Sequence, residues 1–152
     1  KLIIVGDGPE RGNLEILTKE LKLEKNVLFV GGMENRQLPE FYATADLFAG
    51  PSIVAESGDT EGLGVVFLEA LASGTCVIGS NVGGIPDIIE HNKTGILVRQ
   101  KDPKQLSNSI IKLLRNEKLR KSLALNGQRK VRKIYSWDLI GRKFNELISQ
   151  IK

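Results

Sequence analysis

Cysteine, histidine and aromatic residues are scarce in this sequence. Its 152 residues include one cysteine and one histidine, and 5% of them are aromatic. A single cysteine, Cys76, excludes an internal disulfide and suits a reducing compartment, so we expect a cytoplasmic protein. Long hydrophobic runs are absent as well, since apolar stretches such as Leu2–Val5 have the length of short strands and could not span a bilayer.

Positive charge is concentrated in one part of the chain. The formal net charge is +4, yet residues 115–133 alone carry +7, from eight basic residues and one acid. This segment predicts either a solvated helix face or peripheral contact with an anionic membrane. Apart from Tyr135, no aromatic residue accompanies these bases, so the stacking that single-stranded nucleic acid requires is missing and we predict no nucleic acid partner.

Short apolar runs alternate with segments of helical periodicity over the first hundred residues. The strand-like runs are 2–5, 27–30, 46–49, 76–79 and 96–98. Several are apolar on both faces, which is typical of parallel strands covered by helices. The alternation predicts an α/β fold: a Rossmann-like doubly wound parallel sheet with helices on both faces.

After Val98 the pattern becomes purely helical. Asp102 followed by Pro103 predicts a helix start, with a buried stripe at positions 106, 110, 113 and 114. A second helix is predicted over about 117–134, and Ser136 caps a last helix whose apolar residues are Ile140, Phe144, Leu147 and Ile151. No repeat or linker interrupts the chain, so we predict one domain over 1–152. The chain begins within a predicted strand, which suggests a piece of a longer polypeptide.

The most informative segment runs from Glu61 to Gly74. From Leu63 to Ala72 every residue except Glu69 is apolar or glycine, which predicts a helix that is hydrophobic nearly all round and therefore buried. A carboxylate there is costly unless it is hydrogen-bonded. Glu69 could bind ligand hydroxyls, such as those of a ribose, or it could accept N–H bonds from a neighbouring loop or meet a basic residue. The residues alone leave these alternatives open.

Glu61 lies just before this helix, and Gly62 and Gly64 open it. A helix start that bears glycine offers N–H donors and the positive end of the helix dipole, which suits a phosphate. In an open α/β sheet the ligand lies beyond the carboxyl ends of the strands. The loops expected there are 6–9, 31–36, 50–64 and 80–85.

The segment EGLGVVFLEALASGT, with the E-x(7)-E spacing of Glu61 and Glu69, resembles the signature of family 4 retaining glycosyltransferases. Other segments resemble the same family in the expected order: LIIVGDGPER at 2–11, VLFVG at 27–31, ADLF at 45–48, SNVGGIPDII at 80–89, TGILV at 94–98 and YSW at 135–137. The resemblance implies the GT-B fold and makes this chain the C-terminal, nucleotide-sugar-binding domain. The family's acceptor domain and its first strand–helix unit, which clamps the diphosphate, have no counterpart in these residues.

The resemblance also implies residue roles. Glu69 would bind the nucleotide ribose, and Glu61, the catalytic candidate, would position the donor sugar. The backbone of Gly62, Leu63, Gly64 and Val65 would donate to sugar and phosphate, and Met33 would lie beside the base. The implied reaction moves a hexose from a nucleoside-diphosphate sugar to an acceptor hydroxyl with retention. The leaving phosphate takes the acceptor proton, so no protein nucleophile, cofactor or bound metal is expected.

Alternative functions share parts of this pattern. A GT-B-type nucleotide-sugar epimerase or a phosphorylase would have the same fold, and a catalytically silent nucleotide-binding module would have the same site. A dinucleotide-dependent oxidoreductase is disfavoured because Arg11 replaces the third glycine of the fingerprint. The acids Glu56, Asp59 and Glu61 could suggest a divalent cation, but acids in a flexible loop are more often solvated. The 56–60 loop resembles that of surface-polysaccharide transferases, so we expect a role in polysaccharide synthesis.

Overall fold

The computed structural model describes residues 1–150. The strands are β1 (Leu2–Val5), β2 (Val27–Gly31), β3 (Leu47–Gly50), β4 (Cys76–Ser80) and β5 (Ile96–Val98). The helices are α1 (Arg11–Glu20), α2 (Leu38–Thr44), α3 (Val65–Ala72), α4 (Ile85–Ile88), α5 (Pro103–Arg115), α6 (Glu117–Ile134) and α7 (Trp137–Ser149). Ile151, the last residue of the predicted C-terminal stripe, lies outside the described residues.

The chain divides into two compact units, Lys1–Leu38 and a second that begins at Pro39. In the first unit, β1 and β2 pair in parallel, with Leu2 opposite Val27. Helix α1 connects them but buries no residue, and its apolar side chains Leu14 and Leu17 are exposed, as is Leu21 at its C-cap. A two-stranded sheet offers too little apolar surface to cover such a helix. The prediction of one domain over 1–152 stays a prediction.

The second unit is built on a three-stranded parallel sheet in the order β3-β4-β5. The central strand β4 is buried along its whole length, as expected of a strand with neighbours on both edges. Its core cluster includes Cys76, Ile78, Ile96, Val98, Leu113 and Leu123. The predicted α/β fold is confirmed: every strand pair is parallel, and the five strands are distributed over two sheets.

Side-chain caps start the C-terminal helices at the predicted positions. The carboxylate of Asp102 accepts the Gln105 N–H at 2.9 Å, and Ser136 caps α7 through the Leu139 N–H. In the predicted α5 stripe Leu113 is fully buried, but Leu114 is exposed, so that position was wrong. One position along a helix turns the side chain by 100°, which carries Leu114 off the packed face. Within residues 1–150, no helix combines the length and hydropathy that a membrane span requires.

The thiol of Cys76 lies in β4 with 1% of its surface exposed. Burial raises its pKa to about 11, although the charge of Arg120 opposes the increase. A thiol that stays protonated is a poor nucleophile. Cys76 is therefore a small core side chain rather than a reactive group.

Candidate functional site

Helix α3 begins at Val65, two residues later than predicted. The residue before it, Gly64, is the N-cap and has a φ of 70°, in the left-handed region that disfavours a side chain. A Cβ at this position would also press on the Phe67 ring at 3.0 Å. The Phe67 N–H donates to the Gly64 carbonyl at 2.9 Å and closes the first turn. A glycine at position 64 therefore allows the chain to turn sharply into the helix.

The first turn of α3 is exposed, so the prediction of burial all round was wrong there. The exposed fractions are 54% for Leu63 and 52% for Val65, whereas Phe67 and Leu71 are fully buried. The Phe67 ring meets Phe48 of β3 edge-on, at 5.4 Å between centroids. A helix that is apolar on every face is buried all round only if the fold places a neighbour against each face, and the face that bears Val65 is exposed. The consequence is that the start of α3 at Val65 lies at the surface of this unit, and the first N–H groups of a helix generally lack partners within it.

Glu61 accepts hydrogen bonds from the N-cap of α3 and from the loop before α4. Its Oε1 accepts the Gly64 N–H at 3.1 Å, and its carbonyl accepts the Gly84 N–H at 3.2 Å. A carboxylate at a helix start is also stabilised by the dipole. One of the four predicted backbone donors, the Gly64 N–H, is thus satisfied by Glu61 itself.

The loop before α4 touches the Glu61 turn backbone to backbone. A Cβ on Gly84 would overlap the Gly62 carbonyl oxygen, and a Cβ on Gly83, whose φ is 53°, would overlap the Glu61 carbonyl oxygen. Such close approach is open only to glycine at both positions. The two glycines of the SNVGG segment therefore fix where Glu61 and Gly62 lie.

Glu69 lies about one turn and a half after Gly64 and is partly buried. Its Oε2 accepts a hydrogen bond from the Tyr42 hydroxyl of α2 at 3.2 Å. Burial first, and then the charge of Glu69, raise the pKa of the Tyr42 phenol from 10.0 to about 12, so the hydroxyl remains a donor. Within the described residues the partner of Glu69 is this phenol, not the loop N–H or basic side chain considered above.

Tyr42 is the site residue that the sequence did not identify. It belongs to an apolar helical stripe with Leu38 and Phe41, which indicates only packing. The available signal was its hydroxyl, since a buried tyrosine usually finds a hydrogen-bond partner. The partner is 27 positions away, and no local pattern connects them.

The structure brings most of the predicted site residues together. Glu61, Gly62, Leu63, Gly64 and Val65 form the turn into α3, and Glu69 follows on the same helix. Met33 is partly buried in the loop after β2, in the first unit, and its place beside a nucleotide base stays a prediction. Among residues 1–150, no cluster of three or more His, Cys, Asp or Glu side chains could hold a metal ion.

Known proteins resemble this chain in sequence and in structure. The family described as "Glycosyl transferases group 1" matches residues 1–130. A GDP-mannose-dependent alpha-(1-6)-phosphatidylinositol monomannoside mannosyltransferase of Mycobacterium tuberculosis is 35% identical over 148 residues, which are 97% of this chain and 38% of that protein.

Two solved structures share the fold over nearly the whole chain. The sucrose-phosphate synthase of Thermosynechococcus elongatus has a TM-score of 0.87 and 31% identity, over 99% of this chain and 38% of that one. Anabaena HepE in complex with UDP-glucose has a TM-score of 0.85 and 26% identity, over 97% of this chain and 40% of that one. This chain therefore spans about two fifths of the length of these proteins.

Proposed function

Because this chain belongs to the group 1 glycosyl transferases, we propose that it is the donor-binding domain of a retaining hexosyltransferase. The match of the family model to residues 1–130 confirms the resemblance of the motifs. The observation that supports the reaction best is the arrangement on α3: a helix start at the surface, one carboxylate bonded into its turn and a second carboxylate further along the helix. The donor we propose is a nucleoside-diphosphate hexose, and the acceptor group is a hydroxyl.

The helix start accounts for the difficult part of the reaction, the departure of the diphosphate. Negative charge grows on the leaving oxygen, and preorganised N–H donors together with the helix dipole stabilise it. Glu61 holds the sugar, and Glu69, held by the Tyr42 hydroxyl, binds the ribose. We assign no protein nucleophile, since the leaving phosphate can itself accept the proton of the acceptor hydroxyl.

An acceptor-binding domain must complete the enzyme. The relatives are more than twice as long as this chain, so residues beyond it supply that domain in our proposal. The chain alone should bind a nucleoside diphosphate without turnover. An epimerase or phosphorylase is less well supported, because the similar mannosyltransferase is described as GDP-mannose-dependent and HepE is described in complex with UDP-glucose.

Two substitutions in the full-length protein test the roles of the carboxylates. Glu69→Ala should weaken UDP or GDP and the matching nucleotide sugar alike, by about 1–3 kcal/mol for bonds to a charged group. Glu61→Ala should leave diphosphate affinity nearly unchanged and lower turnover, because the sugar is no longer held in line. Calorimetry and transfer rates measure both effects. Equal loss of diphosphate affinity in the two variants would contradict the assignment.

We also propose a location, on the cytoplasmic face of a membrane that carries the acceptor. Three of the eight bases in residues 115–133 are engaged in ion pairs: Arg120 with Asp46, Lys121 with Glu117 and Lys130 with Glu90. Besides Lys121, the exposed bases of α6 are Lys118, Arg129, Arg132 and Lys133. The last three lie 11, 14 and 15 positions after Lys118. These separations are close to whole numbers of helical turns, so the four side chains share one face of the helix. We call them the basic stripe.

The basic stripe suits an anionic surface, where each base contributes roughly 1 kcal/mol. Exposed Leu125 lies within it and adds an apolar contact. A lipid-linked acceptor used in surface polysaccharide synthesis would be found there. The double variant Arg129→Glu/Arg132→Glu should lose salt-sensitive sedimentation with phosphatidylglycerol vesicles. Equal sedimentation of the unmodified protein with neutral and anionic vesicles would leave the stripe as a solvated face.

A further inference from the structure

A mostly buried lysine of α6 contacts the carboxyl end of α4. The side chain of Lys130 is 14% exposed, and its Nζ lies 3.0 Å from Glu90 Oε1. The same ammonium donates to the Asp87 carbonyl at 3.0 Å, and the Tyr135 hydroxyl reaches that carbonyl at 3.4 Å. The bond and charge of Lys130 lower the pKa of the Glu90 carboxyl, which favours its ionised form.

The bonded carbonyl belongs to the helix that leads to the site. Asp87 lies in α4, a single turn whose Ile85 and Ile88 are fully buried. Only three positions separate Asp87 from Gly84, about 5 Å along a helix. At that near end the Gly84 N–H donates to the Glu61 carbonyl, and a Cβ would not fit between the loops. Because this turn is short and tightly packed, we expect a shift at Asp87 to displace Glu61 as well.

A second side chain of α6 does the same for α3. The Gln128 amide donates to the Ala72 carbonyl at 3.0 Å, at the carboxyl end of α3. Polar side chains of one helix therefore hold the far ends of the two helices whose starts meet at Glu61. Of the two, Lys130 alone carries a charge and bonds two acceptors.

We propose that Lys130 is a positioning residue of the donor site: it holds α4 from behind and so keeps the Glu61 turn where the carboxylate can bond the donor sugar. The inference rests on the proposed function. Glu69, which binds the ribose in our proposal, is on α3 and outside this connection, so loss of Lys130 should weaken binding of the nucleotide sugar more than binding of the diphosphate. A purely structural ion pair would make no such distinction.

Calorimetry on the full-length protein with UDP, GDP, UDP-glucose and GDP-mannose tests this. For Lys130→Met we expect the affinity for the nucleotide sugar to fall about tenfold, with diphosphate affinity unchanged within about twofold. Lys130→Arg should restore most of the loss, because the guanidinium also donates to two acceptors. The control is Lys112→Met, which removes an exposed lysine of α5 and should match the unmodified protein.

The possible outcomes separate the two proposals. Equal losses of sugar-nucleotide and diphosphate affinity in Lys130→Met, or no loss of either, overturn the positioning role. If Lys130→Met does not fold, Tyr135→Phe removes the weaker bond to the same carbonyl and should shift the same ratio in the same direction; an unchanged ratio there overturns the role as well. Failure of the unmodified protein to bind any of the four ligands refutes the proposed function instead, and this inference with it.

Discussion

Replacing Gly84 with alanine adds one methyl group at the contact between the α4 loop and the Glu61 turn. Gly84 has a φ of −81°, which any residue adopts, so alanine introduces no backbone strain. It should even stabilise the chain by about 0.4–1 kcal/mol through the unfolded state. The added carbon, however, would overlap the Gly62 carbonyl oxygen. Steric conflict alone therefore decides the result.

The overlap requires the two loops to separate by on the order of 1 Å, and forcing an extra carbon into packed structure typically costs about 1–3 kcal/mol. After the gain from the unfolded state, we expect a net destabilisation of about 1–2 kcal/mol. The effect on transfer should be larger, since a displacement near 1 Å can lower a rate by about 100-fold.

Urea unfolding and transfer rates of the full-length protein measure the two effects. The matched control is Gly141→Ala in α7, where an added Cβ meets no atom within 4 Å. In a helix interior that change should stabilise by up to about 1 kcal/mol. The reasoning is refuted if the Gly84 variant is as stable and as active as the Gly141 variant.

Three further substitutions test other contacts. Tyr42→Phe should weaken diphosphate binding about fivefold, through loss of the bond that holds Glu69. It should also remove a phenol of pKa about 12 from the spectrophotometric titration. The native state keeps that proton above pH 10, whereas the unfolded state loses it. The unmodified protein should therefore lose stability as pH rises from 10 to 12, and the variant should lose less. Arg120→Met removes bonds to the Leu113 carbonyl and Asp46 and should lower the free energy of unfolding by about 1–3 kcal/mol in urea. The hydrogen bond from the Gln105 N–H, together with Arg99, lowers the pKa of the Asp102 carboxyl below 3.8. The ionised carboxylate therefore stabilises the fold above that pH, and this contribution is lost as pH falls. The thermal unfolding temperature of Asp102→Ala should depend less on acid pH than that of the unmodified protein.

Strands and helix starts were predictable because their signals are local. The five strands lie within one residue of their predicted bounds, since each is a short apolar run followed by turn residues. Asp102 and Ser136 cap their helices through N–H groups three positions away. The spacing of Glu61 and Glu69 likewise placed both carboxylates at α3.

Contacts between distant residues were not predictable in this way. Tyr42 and Glu69 are 27 positions apart, and Lys130 and Asp87 are 43 apart. The exposure of Val65 depends on which neighbours the fold supplies, which composition does not encode. The basic segment shows the same limit, because its charge could be counted but its division into ion pairs and an exposed stripe required the fold.

Because the thiol of Cys76 is buried, the rate at which it is chemically labelled measures local opening of the fold. A thiol-specific reagent can modify this single cysteine only when β4 separates from its neighbours, because burial both blocks access and keeps the sulfur protonated. Labelling rates at increasing urea would therefore give the free energy of opening at the centre of the sheet, without an introduced cysteine. Repeating the measurement with UDP or GDP present would show whether a nucleotide bound at the surface stabilises the strand behind it.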